Sequence, residues 1–516
     1  MDSKKVSRKW QGMSEEMNTG IAEWREQHPQ ATFREIEAEI DRRLDKYRAK
    51  ILSDTANLSA SAAWKEGADG PVCPKCGARL EGKGKKKREL QVRGGRVVEI
   101  EREYGVCPKC GQGIFPLDEE LELLPGGLTP RGHENLVRLS SWMPFARATE
   151  LMEDMQGICV SPSMSRRNSE AAGAAYAEMQ TEEVERLERD MPPAPKGAEK
   201  MQISADGAMV PLLHGQWAEV RTLVIGEVRP AVQERGEWVV HTRNLSYFSR
   251  KISSEAFERL ALVEIQRRGV ENARQVAAVM DGSDWLQSLT DYHRPDAVRI
   301  LDFPHAGEHI SQVGEFLCGE GTPQAQEWLK ERLHRLKHEG PEDLFAELHQ
   351  LQAHYPDAQE VSGNLAYLKK REPQIQYPRF QADGWPIGSG IVESGNKLVV
   401  EARLKGSGMH WAEQHVNSML ALRNIVCSGR WKEDWPKIET RLRQQVYRRS
   451  EQLHQSRKTP TPVGVPAVTI ITSPVPQIIP LPIPKKPIKP TNPKDNPWRK
   501  FKFGRALYQR DYPPKK

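Results

Sequence analysis

The sequence predicts a multidomain α/β protein: a mixed-sheet core with an α-helical insertion, preceded by helical segments and a small four-cysteine zinc ribbon. Three observations predict it. At 516 residues the chain is too long for one compact core, and typical domain sizes suggest about three domains. Between residues 199 and 302, three strand-like runs are followed by alternating helix-like and strand-like pieces, the order of an α/β protein with a mixed sheet. Upstream, two matched Cys-x-x-Cys pairs sit in a stretch rich in Pro and Gly.

Residues 1–70 read as an N-terminal helical region. Ile36, Ile40, Leu44, Tyr47 and Ile51 recur at helical spacing and make one apolar stripe, a packing face to which no chemistry is assigned. Residues 71–115 change character: a basic run from Lys83 to Arg88 lies between the cysteine pairs, and RVVEIEREY predicts a strand. Residues 116–195 return to helix. A helix, a turn at Gly157 and a second helix opened by Ser161-Pro162 can be read there, since Ser before Pro starts helices well. This is a helix–turn–helix pattern whose second helix would carry Ser165, Arg166, Arg167 and Asn168; an ordinary helical hairpin fits the same pattern.

The first part of the core spans 196–304. Its strands are EKMQISADGAMVPL, AEVRTLVIGEV, EWVVHTRNLSYFS, QVAAVMD and AVRILD, with SSEAFERLALVEIQRRG as a helix between the third and fourth. Residues 305–380 read as a helical insertion, and 381–430 as the closing part of the core, a glycine turn continuing into helix. Residues 431–516 are expected to be a basic, Pro-rich, largely disordered tail, since 14 of the 37 prolines follow residue 458.

Composition narrows the function classes. The chain is 38% hydrophobic and 28% charged, which allows globular domains, and no apolar run approaches the ~18 residues of a membrane span. MDSKKVSRKWQG lacks an apolar signal core, so a cytoplasmic location is expected. The net charge of +6 is uneven: residues 430–516 hold 20 Lys/Arg against 6 Asp/Glu, so the rest sums to −8. A basic tail on a mildly acidic body suits salt-sensitive polyanion binding, although a solubilising tail has the same composition.

Cys73-Pro-Lys-Cys76-Gly and Cys107-Pro-Lys-Cys110-Gly are near copies of one knuckle. Two such turns aim four thiolates at one tetrahedral Zn²⁺, and seven cysteines in a cytosolic chain argue against a disulfide framework. Asp206 follows the strand MQISA, Asp281 follows VAAVM, and each precedes a glycine. Carboxylates at strand ends lie where α/β sheets bind ligands, and two from neighbouring strands suit a pair of divalent ions for phosphodiester chemistry. Taken singly, each Asp-Gly is also an ordinary turn. GWPIGSGIVESGNK adds Glu393 near the start of a helix, with Lys397 one turn on and Arg403 and Lys405 beyond as phosphate-binding candidates beside Arg166 and Arg167. Two strand-end aspartates and a helix-borne glutamate form the constellation of RNase H-like nucleotidyl transferases. Asp284 and Asp302 compete with Asp281 for the middle role; Asp281 is preferred because it ends an apolar strand and precedes glycine.

The Asp206-Gly, Asp281-Gly-Ser-Asp-Trp and Gly388-Ser-Gly-Ile-Val-Glu393-Ser-Gly-Asn-Lys397 blocks resemble the DDE transposases of the ISKra-type bacterial insertion sequences, distant relatives of mutator-like transposases. The resemblance covers residues from about 30 to 430. It implies an RNase H-like core interrupted before the glutamate, in keeping with the separation of 112 positions from Asp281 to Glu393. It also implies that Asp206, Asp281 and Glu393 hold two Mg²⁺ or Mn²⁺ ions. Asp302-Phe-Pro-His305 resembles a Cys/Asp-x-x-His signature of mutator-type enzymes, which makes His305 a candidate, with His309 as its rival. The terminal NPWRKFKFGR resembles basic ends of such transposases. The expected activity is cleavage at element ends and strand transfer into target DNA, by a dimer or larger assembly at the bacterial nucleoid. A catalytically inactive DNA-binding regulator and a structure-selective RNase H-like nuclease are the rival readings.

Overall fold

The computed structural model describes residues 3–64, 70–234 and 236–458. The expected Pro-rich segment and the terminal NPWRKFKFGR lie outside them. Helices α1 (Ser3–Gln27) and α2 (Phe33–Asn57) open the chain, and Thr32 and Glu35 close a capping box at the start of α2. Asp54 pins the two together, accepting from Lys9 Nζ at 2.8 Å and Trp10 Nε1 at 3.2 Å. The apolar stripe is only half-buried, and Leu44 stays exposed.

Strands β1 (Glu81–Val92), β2 (Arg96–Val106) and β3 (Gly113–Ile114) form an antiparallel ribbon, and α2 packs on β2. The basic run on β1 is balanced across the strands: Lys85 pairs with Glu101 at 3.1 Å, Lys87 with Glu99 at 2.9 Å, and Arg88 with Asp118 at 2.9 Å. Asp118 lies on α3 (Pro116–Glu120).

Helices α4 (Pro130–Trp142), α5 (Phe145–Gln156) and α6 (Pro162–Asp190) follow. The expected turn is present. Gly157 ends α5 at φ +66°, where a side chain would be strained, and Ser161 Oγ caps α6 by accepting from the Met164 N–H at 3.2 Å. Yet α6 is 29 residues long, and its Ser165 is buried against Ser140 of α4 at 2.6 Å, so Ser165 does not face outward as expected.

The main sheet is built from β4 (Lys200–Pro211), β5 (Trp217–Val228), β8 (Thr242–Arg250), β9 (Gln275–Met280) and β10 (Val298–Leu301), after a side hairpin of β6 (Val232–Glu234) and β7 (Glu237–Val239). Its order is β10-β9-β4-β5-β8, with β4, β9 and β10 parallel and β5 antiparallel to both its neighbours. The expected third strand is thus divided, its first part pairing with β6 instead of joining the sheet.

Period-2 alternation sends side chains to two apolar layers. Met201, Ile203, Ala205, Leu223 and Ile225 pack under α7 (Ser254–Leu260), α8 (Leu262–Arg267) and α9 (Asp284–His293). On the opposite face, Ala208, Val210, Val220 and Val224 meet α15 (Gly390–Gly395), a π-helical turn at Asn396–Glu401, α16 (Ala402–Leu404) and α17 (Glu413–Cys427). Between β10 and α15 come α10 (Phe303–Cys318), α11 (Pro323–His338), α12 (Glu342–His354), α13 (Gln359–Lys370) and α14 (Tyr377–Ala382). They share an apolar cluster with Ala277, Val279, Ile300 and Leu301 of the sheet.

The tail boundary expected at 431 is corrected. Residues Trp431–Lys458 form α18, and Trp431 and Trp435 stack at 5.1 Å inside the core with Ile438 and Leu442. The high Lys/Arg content of this stretch hid a buried tryptophan face at helical spacing.

Two consequences of the packing are measurable. A Cβ at Gly173 of α6 would collide with the Ser418 carbonyl of α17, so Gly173→Ala should lower stability by about 1–3 kcal/mol, read as an earlier midpoint in urea denaturation. An unchanged midpoint would contradict this helix contact. Burial pushes His133 and His293 down to about 4 from an ordinary value near 6.5. The unfolded chain therefore binds protons there that the folded chain refuses, and stability should fall as pH drops from about 6.5 to about 4, by about 3 kcal/mol for each histidine. His133→Leu should flatten that slope in denaturation measured across this window.

Candidate functional site

The cysteine knuckles have matching backbones. The Gly77 N–H donates to the Cys73 carbonyl at 2.9 Å and the Gly111 N–H to the Cys107 carbonyl at 2.8 Å, with both glycines near φ +70°. That conformation favours glycine and turns each loop back on itself. The four sulfurs lie within 4.8 Å of one another, with Cys73–Cys110 at 3.6 Å, Cys76–Cys107 at 3.4 Å and Cys76–Cys110 at 4.0 Å. A tetrahedron of sulfurs about 2.3 Å from a central ion has edges of about 3.8 Å, so the group can hold a structural Zn²⁺. Burial pushes the Cys107 thiol up, but the Cys110 N–H and neighbouring thiols outweigh that and bring it down to about 6, while burial drives Cys110 up to about 12.

The carboxylates are assembled by strand register. Ile203 of β4 lies opposite Ala278 of β9, and Met280 of β9 opposite Leu301 of β10. Continuing the registers brings Asp206 level with Asp281 and Asp302, which lie one residue past the ends of β9 and β10. Asp206 is not at a strand end as expected: β4 continues to Pro211 because β5 still pairs with it, but its ladder with β9 has already ended. Asp206 Oδ1 accepts from the Gly207 N–H at 2.7 Å and Oδ2 from Asn396 Nδ2 at 3.0 Å. Burial pushes its carboxyl up and the Asp281 charge adds to this, against the hydrogen bonds from Gly207 and Asn396.

Asp281 Oδ1 accepts from the Ser283 N–H at 2.8 Å. The Gly282 carbonyl behind it accepts from Arg371 Nε at 3.1 Å, and a Cβ at Gly282 would strike that guanidinium. Close approach, beyond turn-making, thus explains the glycine after Asp281. Asp302 is 8% exposed, and burial pushes its carboxyl up. Its Oδ1 accepts from the Ser389 N–H at 2.6 Å and its Oδ2 from the His305 N–H at 3.3 Å, so it caps α10 and holds the glycine turn that leads into α15. Asp302 therefore has both oxygens on backbone donors, whereas Asp281 has one, from Ser283.

Glu393 is exposed on α15, and among the described residues its side chain has no hydrogen-bond or ion-pair partner. It does not close on the two aspartates: among the described residues, the cysteines are the one group of three or more potential ligands whose atoms all lie within 4.8 Å of one another. His305 packs on the insertion, its Nε2 3.2 Å from the Tyr367 hydroxyl, while the His309 ring stacks on Tyr367 at 3.7 Å.

The phosphate-binding candidates divide. Arg167 and Lys397 are exposed; Arg166 is exposed beside Glu170 at 3.4 Å; Lys405 pairs with Glu401 at 3.1 Å. Arg403 is corrected. It is 1% exposed, donates to the Ser140 carbonyl at 2.9 Å and lies over the Phe145 and Trp411 rings, so it braces the core and cannot reach a phosphate. Sequence reading also missed Asn396, Arg371 and Tyr367. Asn396 alone had a local signal, one turn beyond Glu393; the other two are brought in by the insertion.

No protein-family model matches the chain, and no curated protein matches it. No helix among the described residues is long and apolar enough to cross a membrane.

The cysteine geometry sets a metal test. Purified protein should carry one Zn²⁺ per chain by elemental analysis, and Cys73→Ser should lose most of it, since three thiolates hold the ion less well than four. Equal zinc in the two proteins would contradict this assignment.

Proposed function

We propose that this protein is a DDE-type DNA transposase that cuts DNA at insertion-sequence ends and joins the freed 3′-hydroxyl to target DNA. One observation carries the reading most: Asp206 of β4 lies near enough to Asp281, just past the end of the neighbouring parallel strand β9, to feel its charge, and the helix bearing Glu393 is hydrogen-bonded to Asp206 through Asn396. The strand order supports an RNase H-like core, with three antiparallel strands (β8, β5, β4) and then two parallel ones (β9, β10) on the far side of the first. The helices α10–α14 fall where the resemblance puts an insertion.

Two crowded, half-buried carboxylates repel each other, and a divalent cation relieves that repulsion. Hard oxygen ligands suit Mg²⁺ or Mn²⁺, so Asp206 and Asp281 would hold the ions, with Glu393 brought in from α15. A bound pair would activate the attacking oxygen and steady the leaving one. The chain's own part is orientation. Gly207 and Asn396 fix the Asp206 carboxylate, Ser283 fixes Asp281, and Arg371 clamps the loop behind it. Lys397, one turn beyond Glu393, would meet a DNA phosphate, as would Arg166 and Arg167 at the capped start of α6. DNA is the partner of this reading, and holding two ends calls for a dimer or larger assembly.

The test is a cleavage and joining assay in Mg²⁺ on DNA spanning both flanks of the gene encoding this chain. Wild type should give nicks and strand-transfer products. Asp206→Ala, Asp281→Ala and Glu393→Ala should each lower cleavage roughly 100-fold or more while still binding DNA. Full cleavage by the three variants would overturn the assignment. Binding without any cleavage by wild type would favour the regulator, and nicks without joined products the nuclease.

A further inference from the structure

Asn396 follows Glu393 by one helical turn, is 6% exposed, and donates through Nδ2 to Asp206 Oδ2 at 3.0 Å. Its amide has only one workable orientation, since the reversed one would set oxygen against oxygen. Its Oδ1 is buried and, among the described residues, has no hydrogen-bond partner. A buried acceptor left unpaired is costly, and such a group calls for a reason to be kept.

The backbone around Asn396 is unusual in two further ways. The π-helical turn Asn396–Glu401 starts at this residue, and its wider winding shifts the helix phase between the Glu393–Asn396 segment and Val399, Val400 and Leu404 in the core. Just before it, Gly395 lies tight on the sheet. A Cβ there would sit 2.7 Å from Val224 Cγ2 of β5 and 3.2 Å from the Tyr247 ring of β8, so only glycine lets the helix approach closely enough for the amide to reach Asp206.

Resting on the transposase reading, we propose that Asn396 is a positioning residue for metal binding: it fixes the rotation of the Asp206 carboxylate and ties the glutamate-bearing helix to that strand. An ionised carboxylate accepts about four hydrogen bonds or ligand contacts, so the Gly207 and Asn396 bonds leave each oxygen room for a cation. The amide is neutral, so it orients the carboxylate without competing for the ion as a lysine would. Partners of this kind, one step removed from a metal, typically change its affinity about 10–100-fold.

The measurement is Mn²⁺ affinity of the full chain by electron paramagnetic resonance, on wild type, Asp206→Ala, Asn396→Ala and Gly395→Ala, with thermal unfolding to confirm that each is folded. Cleavage kinetics over a range of DNA concentrations run alongside. Asn396→Ala should weaken Mn²⁺ binding about 10-fold and lower kcat while KM for DNA holds. Gly395→Ala, which changes neither side chain of the pair, should weaken it in the same direction. If Asp206→Ala abolishes Mn²⁺ binding but folded Asn396→Ala binds as wild type does, the positioning role is wrong and the transposase reading stands. If Asp206→Ala binds Mn²⁺ unchanged, the reading itself fails and the positioning role with it.

Discussion

The parallel pairing of β4 with β9 is the constraint on which the candidate site depends. That ladder runs through Met201, Gln202 and Ile203 and stops before the aspartates, so the β9 side of β4 is open at Asp206 while its β5 side stays paired with Thr222. A slip of one residue would turn either aspartate to the other face, among Met201, Ile203 and Ala205 under α7–α9. The apolar alternation that builds that layer is therefore also what turns Asp206 and Asp281 away from it, Asp206 toward Asn396. Fold stability and site geometry are set here by the same residues.

Around this pair, distant segments act as braces. Arg371, at the end of α13 in the helical insertion, grips the Gly282 carbonyl and stacks over Tyr367 at 3.7 Å, so the insertion is coupled to the Asp281 loop. Asp302 commits both carboxylate oxygens to backbone donors from α10 and the 388–390 turn, which holds the start of α15 against β10. On the other side, buried Arg403 and Arg423 donate to the Ser140 and Ser141 carbonyls and lock α4 onto the core, even though α4 is remote in sequence. The four-cysteine ribbon stands apart from this network, with its own small cluster of Leu80, Ile114 and the cysteines. A metal ion there would supply what that core lacks in apolar area.

Much of this was legible in the sequence wherever the signal is local. Matched knuckles, Ser161-Pro162, Gly157 and the apolar runs of β5 and β9 each dictate their structure within a few residues. Elsewhere the signal was read against the wrong background. Arg403 looked like a surface cation because its burial against Phe145, Trp411 and the Ser140 carbonyl depends on α4 and α5, remote in sequence. Lys83–Arg88 read only as a basic run, because the glutamates that pair with Lys85 and Lys87 come from β2. The tail boundary failed because charge dominates 431–458, although two stacked tryptophans anchor that helix. Asp206 was found by its place after the strand run MQISA and before a glycine, but its partner Asn396 depends on a π turn and a glycine contact that no periodicity rule describes.

The central claim is that the side-by-side aspartates form a divalent-cation site. It is tested most directly by anomalous scattering from crystals of the full chain grown with Mn²⁺. The account predicts an anomalous peak bridged by Asp206 and Asp281, with Glu393 turned toward it and the Asn396–Asp206 bond intact. Crystals that carry Mn²⁺ elsewhere and none between these two carboxylates would contradict it.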